Sequence, residues 1–127
     1  MSIQIILLLV LFHFIADFLL QNDWMGLGKS KKLLPLFIHS LVYSGAMTLF
    51  LCGMSFGLFM FGAFDFLVPV YFFIIMFVSH FVIDFISSRV NKYLYENNEI
   101  RIFFNVIGFD QYLHYLVLFL SINFLFY

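Results

Sequence analysis

From Ile3 to Leu20 only Gln4, His13 and Asp17 interrupt a run of apolar side chains, and three comparable runs follow at Leu33–Cys52, Leu67–Ser87 and from near Val106 to Tyr127. About 20 apolar residues in a helix cross the hydrocarbon core of a bilayer. The runs predict an all-α polytopic membrane protein: one transmembrane domain, 1–127, with helices over about 3–20, 33–52, 67–87 and 106–127. Composition agrees. Hydrophobic residues make up 65% of the chain, 21 of its residues are Phe, and charged residues are only 10%, where soluble domains carry roughly a quarter. A soluble domain of 127 residues could not bury so much apolar surface. The Gly-containing stretch Gly53–Phe66 reads as a turn or interfacial loop, and Arg89–Arg101 as a solvated connection. No Lys or Arg precedes the first run and no small-residue cleavage site follows it, so it reads as a retained helix rather than a removable leader.

Charge narrows the function. A net charge of -1 offers no basic field for nucleic acid. A single cysteine, Cys52, excludes an internal disulfide and a Cys-built zinc site. All six basic residues fall in two loops: Lys29, Lys31 and Lys32 between the first and second runs, and Arg89, Lys92 and Arg101 between the third and fourth. Four crossings put both loops on one side. The positive-inside rule makes that side cytoplasmic, with both termini outside.

The polar residues within the runs carry the chemistry, because ionisable groups are costly in hydrocarbon. His13 pairs with Asp17, His80 with Asp84, and Asp110 with His114, each at i, i+4 and hence on one helix face. The first and third helices run toward the cytoplasm and read His then Asp. The fourth runs away and reads Asp then His, so in all three the carboxylate is nearer the cytoplasm and the imidazole about 6 Å deeper. His39, seven residues past Lys32, reaches a similar depth, about 10 Å in. Four histidines are thus expected at one level, below a layer of carboxylates.

An internal repeat sharpens this. His13, Asp17 and His39 in the first two helices match His80, Asp84 and His114 in the last two, and Phe-Ile-His39-Ser-Leu-Val compares with Tyr-Leu-His114-Tyr-Leu-Val. Two parallel two-helix units predict a pseudo-two-fold axis along the membrane normal with a site near it.

Imidazole and carboxylate suit zinc, iron or manganese. His13, Asp17, His39, His80, Asp84, Asp110 and His114 are the candidate ligands. They could serve one divalent metal with supporting partners, or two metals sharing carboxylates, which the matched halves favour. Bound metal lowers the pKa of water and polarises a carbonyl or phosphoryl oxygen. Asp17, Asp84 and Asp110 are the candidate catalytic carboxylates, Asp110 as a ligand or as general base. Gln21, Ser40 and Gln111 are candidates for orienting ligands. Gln21 could equally cap a helix end, Ser40 could serve close helix contact, and Gln111 could bond a neighbouring helix or the backbone. A proton or cation path, or a small effector or partner protein, would use the same polar residues differently.

The set His13-Phe-Ile-Ala-Asp17-Phe-Leu-Leu-Gln21-Asn-Asp-Trp24-Met, Lys31, His39-Ser40-Leu-Val-Tyr43, Ser79-His80-Phe-Val-Ile-Asp84 and Asp110-Gln111-Tyr-Leu-His114 resembles the small bacterial and phage integral membrane proteins of domain-of-unknown-function family 3307. More distantly it is similar to membrane-bound metal-dependent hydrolases, which carry His-Ser and His-x-x-x-Asp elements on helices. The resemblance implies a protein of the bacterial inner membrane and supports the seven His and Asp residues as the functional set. The expected function is metal-dependent hydrolysis at the cytoplasmic leaflet, on a phosphoester or lipid-linked substrate. The expected partners are the lipid bilayer, a membrane-associated small substrate and further copies of the chain.

Overall fold

The computed structural model describes residues 2–54 and 65–126, and the elements among them are all helical. Helix α1 spans Ile3–Phe14 and continues into a π-helical turn, Ile15–Leu19. Helix α2 is the short Asp23–Gly28, α3 spans Leu33–Met54, α4 Leu67–Glu96 and α5 Ile100–Phe126. By length and composition α3, α4 and α5 can each cross a membrane, and Ile3–Leu19 is a shorter apolar helix. Large apolar side chains such as Leu7, Leu49, Ile74 and Phe124 face outward. Helices apolar around their whole circumference belong in a non-aqueous surrounding.

Helix α4 packs along α5 and against α3; α3 also meets α1 and the π turn, and α2 lies on α3. The core joins Leu9 and Ala16, Tyr43, Met47 and Leu51, Phe72 and Met76, and Leu118 and Ile122. Phe12 and Phe50 stack beside it, ring centroids 3.6 Å apart. In lipid, whose tails are as apolar as these side chains, contacts of this kind stabilise through close packing rather than through exclusion of water.

The connections on the basic side are short and well made. The Asn22 side chain accepts from the Met25 N–H at 2.9 Å and caps α2. At the other end of α2, Gly28 lies against the Pro35 ring. A Cβ there would stand 2.7 Å from Pro35 Cγ, so only glycine allows α2 to approach α3 this closely.

Between α4 and α5 the structure differs from the expected solvated connection over 89–101. Helix α4 continues nine residues past Ser87 to Glu96, and α5 starts at Ile100, ahead of Val106. No Gly or Pro interrupts 88–96, Leu94 is buried, and Lys92 pairs with Glu96 at 3.8 Å one turn on. The reversal takes three residues, with Asn98 in the left-handed region (φ 58°), which asparagine tolerates. Of the stretch expected to form a turn at Gly53–Phe66, residues 55–64 lie outside the described residues; Gly53 ends within α3, and Asp65 Oδ1 accepts from the Leu67 N–H at 2.8 Å to start α4.

Candidate metal centre

Three of the four helices that form the core also bring four ionisable side chains to one point. Asp17 comes from the π turn, His39 from α3, and His80 and Asp84 from successive turns of α4; all four are buried. In the π turn the Leu20 N–H reaches back five residues to the Ile15 carbonyl at 3.0 Å. Such widened turns recur at functional sites, and this one holds Asp17 against α3.

His39 Nε2 lies 3.1 Å from Asp17 Oδ1, 3.2 Å from Asp84 Oδ2 and 3.0 Å from His80 Nε2. His80 Nε2 lies 3.5 Å from Asp17 Oδ1 and 3.6 Å from Asp84 Oδ2. A tetrahedral ion with N and O ligands at roughly 2.0–2.1 Å has ligand atoms about 3.3 Å apart. The separations of 3.0–3.6 Å bracket that value. One donor atom from each of the four residues lies within 4.8 Å of every other. The group is therefore positioned to hold a metal ion. Charge argues the same way: Asp17 and Asp84 are both buried, while one ammonium, that of Lys29, reaches the pair. Like-charged carboxylates held together out of water require further cations or protons. Among the described residues the Nδ1 atoms of His39 and His80 have no hydrogen-bond partner.

The other expected ligands divide into two sets. His114 and Asp110 join Asp84 in a second group of potential ligands. His114 Nε2 is 3.6 Å from Asp84 Oδ1, and its Nδ1 is 2.9 Å from the Asp110 backbone carbonyl. His13 stands apart from both. Its Nε2 is 3.8 Å from Asp17 Oδ2, but its close partners are the Tyr43 hydroxyl, at 2.9 Å from Nδ1, and Gln111 Oε1, at 3.0 Å from Nε2.

Gln111 joins the two sets. Its amide nitrogen donates to Asp17 Oδ2 and to Asp110 Oδ2, both at 3.1 Å, while its oxygen faces His13. Ser40 is buried with its hydroxyl unpartnered, and Gln21 has a buried, unpartnered Oε1; no hydrogen bond ties either to a ligand among the described residues.

Two participants escaped the sequence reading. Lys29 Nζ lies 2.8 Å from Asp84 Oδ2; among the sequence signals it served only to orient the loop. Tyr43, the partner of His13, stacks on His80 with ring centroids 3.8 Å apart. It stands four residues after His39, the same spacing as the His/Asp pairs, and that was its available signal.

A recess of about 150 Å³ reaches the carboxylate face, where Asp17, Asp84, Asp110, Gln111 and Lys29 line it. Gln21, Lys29, Ser88, Asn91 and Ile107 also line a wider vestibule of about 640 Å³ that carries Lys31, Lys92 and Tyr95. The centre is thus reached from the basic end of the helices.

These features define an all-helical protein with membrane-length apolar helices and a buried His/Asp centre able to hold a metal ion. Over residues 5–127 the sequence matches the family described as "Protein of unknown function (DUF3307)", and the chain belongs to that family. Neither curated proteins nor solved structures give a match.

Proposed function

We propose that this protein is a metal-dependent hydrolase of the bacterial inner membrane, acting at the cytoplasmic leaflet on a phosphoester or another lipid-linked substrate. The observation that carries the reading is the close approach of Asp17, His39, His80 and Asp84, with five of their six ligand-atom separations at 3.0–3.6 Å, reached through the recess. In this reading the four apolar helices all cross the bilayer, as two parallel two-helix repeats, with termini outside and basic loops in the cytoplasm. The matched contacts Asp17–His39 at 3.1 Å and Asp84–His114 at 3.6 Å support the repeat.

Zinc suits four N and O ligands at tetrahedral spacing, with iron and manganese as alternatives. A bound cation would supply Lewis acidity and lower the pKa of water toward neutrality. The residues do the remainder. Asp17 and Asp84 would hold the cation together with His39 and His80. Asp110 serves as a further ligand or as the base that takes the proton from water. Gln111 fixes Asp17 and Asp110, and Lys29 with the vestibule lysines attracts the phosphate. Water adds across the ester bond: its hydroxyl goes to phosphorus and its proton ends on the departing alcohol oxygen.

Elemental analysis of protein purified gently in detergent tests the reading. Bound zinc, iron or manganese is expected, lost with a chelator and in His80→Ala, together with hydrolysis of phosphoester lipids in mixed micelles. Wild-type protein free of metal would count against it.

One observation favours a second reading, a proton or cation relay. Tyr43, His13, Gln111, Asp17, His39 and His80 form an unbroken chain of contacts at 2.9–3.1 Å. That reading predicts ion flux in liposomes, altered by Asp84→Asn, from protein that carries no metal.

A further inference from the structure

We infer that the centre holds two divalent cations bridged by the Asp84 carboxylate, and that the second, at Asp84, Asp110 and His114, is the one that meets substrate. This rests on the metal reading above and extends it.

The key atom is His114 Nε2. Among the described residues His114 Nδ1 faces two acceptors, the Asp110 backbone carbonyl at 2.9 Å and Asp110 Oδ2 at 3.5 Å, so Nδ1 carries a proton and donates it to the carbonyl. In the neutral ring Nε2 is then a lone pair. It is buried, has no hydrogen-bond partner among the described residues and lies 3.6 Å from Asp84 Oδ1. A carboxylate oxygen and an imidazole lone pair facing each other out of water repel unless a cation stands between them. A backbone carbonyl on the far ring nitrogen is also how metal-ligating histidines are held.

Asp84 divides its two oxygens between the groups. Oδ2 approaches His39 Nε2 at 3.2 Å, and Oδ1 faces His114. Asp110 completes the second group. Its Oδ1 is buried and has no partner among the described residues, and donor atoms of Asp84, Asp110 and His114 lie within 4.8 Å of one another. A shared carboxylate spans two metals about 3.5–4 Å apart.

The two positions differ in what they leave free. The first has four protein ligands and takes water only by expanding to five-coordination. The second has three, two of which, Asp84 and Asp110, line the recess. Sites that do chemistry keep coordination positions open to water and substrate. The second position does so, which makes Asp110 a ligand rather than the base.

The test is a titration of detergent-purified, chelator-treated protein with Mn²⁺, read by elemental analysis after gel filtration and by electron paramagnetic resonance. Wild-type protein is expected to retain two equivalents with an exchange-coupled spectrum. His114→Ala and Asp110→Asn should each retain one equivalent with an uncoupled spectrum. Asp110→Asn preserves shape and carries the test if His114→Ala does not fold. A single equivalent in wild type, or two equivalents in the folded variants, overturns the second site and leaves the mononuclear hydrolase standing. No Mn²⁺ bound by wild type removes both.

Discussion

His39 and His80, 41 residues apart on adjacent helices, point their Nε2 atoms at each other across 3.0 Å, with Asp17 Oδ1 and Asp84 Oδ2 flanking the gap. Both nitrogens cannot carry a proton at that distance. The pair either shares one proton or directs two lone pairs at a cation. Cd²⁺ separates these outcomes: with ¹⁵N-labelled histidine, both Nε2 resonances should couple to ¹¹³Cd. Coupling to neither would assign the pair to a shared proton.

Lys29 is the protein's own counter-ion for Asp84, at 2.8 Å with the carboxylate buried. Replacing it with Met leaves that charge to the metal alone. Lys29→Met is expected to destabilise metal-free protein by about 2–3 kcal/mol, the scale of a charged hydrogen bond in a partly buried setting. It should lose less with metal bound, so the metal-dependent rise in Tm becomes larger than in wild type. An unchanged rise would show that Lys29 does not neutralise the centre.

Gln111 fixes Asp17 and Asp110 through one amide group and faces His13 with its oxygen. Gln111→Leu fills a similar volume and makes none of these contacts. The expected result is a metal Kd raised about 10–100-fold, the usual effect of removing a ligand's supporting partner. Competition with a chromophoric chelator measures it. Equal affinities in variant and wild type would remove Gln111 from the centre.

Gly28 leaves no room for a methyl group beside Pro35. Gly28→Ala should force α2 away from α3 at a cost of about 1–3 kcal/mol, and Pro35→Ala in the same chain should restore part of it. Because Lys29 follows directly, the displaced helix should also weaken the Asp84 contact. Unfolding of the single and double variants in mixed micelles reports the first effect, and metal affinity the second.

Topology has its own check. In a Cys52→Ser background, Glu99→Cys should resist a membrane-impermeant thiol reagent on intact cells, and Ser2→Cys should react. The reverse pattern would invert the proposed orientation.

The apolar runs made the helices legible, because crossing a bilayer demands length and composition that little else requires. Their basic ends were less so. Asn91, Lys92 and Glu96 look like a solvated loop, yet nothing in 88–96 breaks a helix and Leu94 finds a buried place. The i, i+4 spacing singles out Asp84 with His80, which share the buried cluster, but it gives His13 the same standing. That residue turns to Tyr43 and Gln111, which sit on other helices, and spacing along one helix carries no information about partners on another. Lys29 was opaque for a similar reason: its reach to Asp84 depends on α2 folding back onto α3 through the Gly28–Pro35 contact.

The widened turn at Ile15–Leu19 has a consequence for how the molecule is adjusted. Each residue of an α-helix advances the chain by about 100° around the axis. Deleting one residue within the turn would return it to ordinary pitch and rotate everything beyond it by about that angle, while His13 upstream stayed where it is. Asn22, α2 and Lys29 are therefore hung from a swivel. A single extra residue sets the bearing at which the lysine arm meets α4.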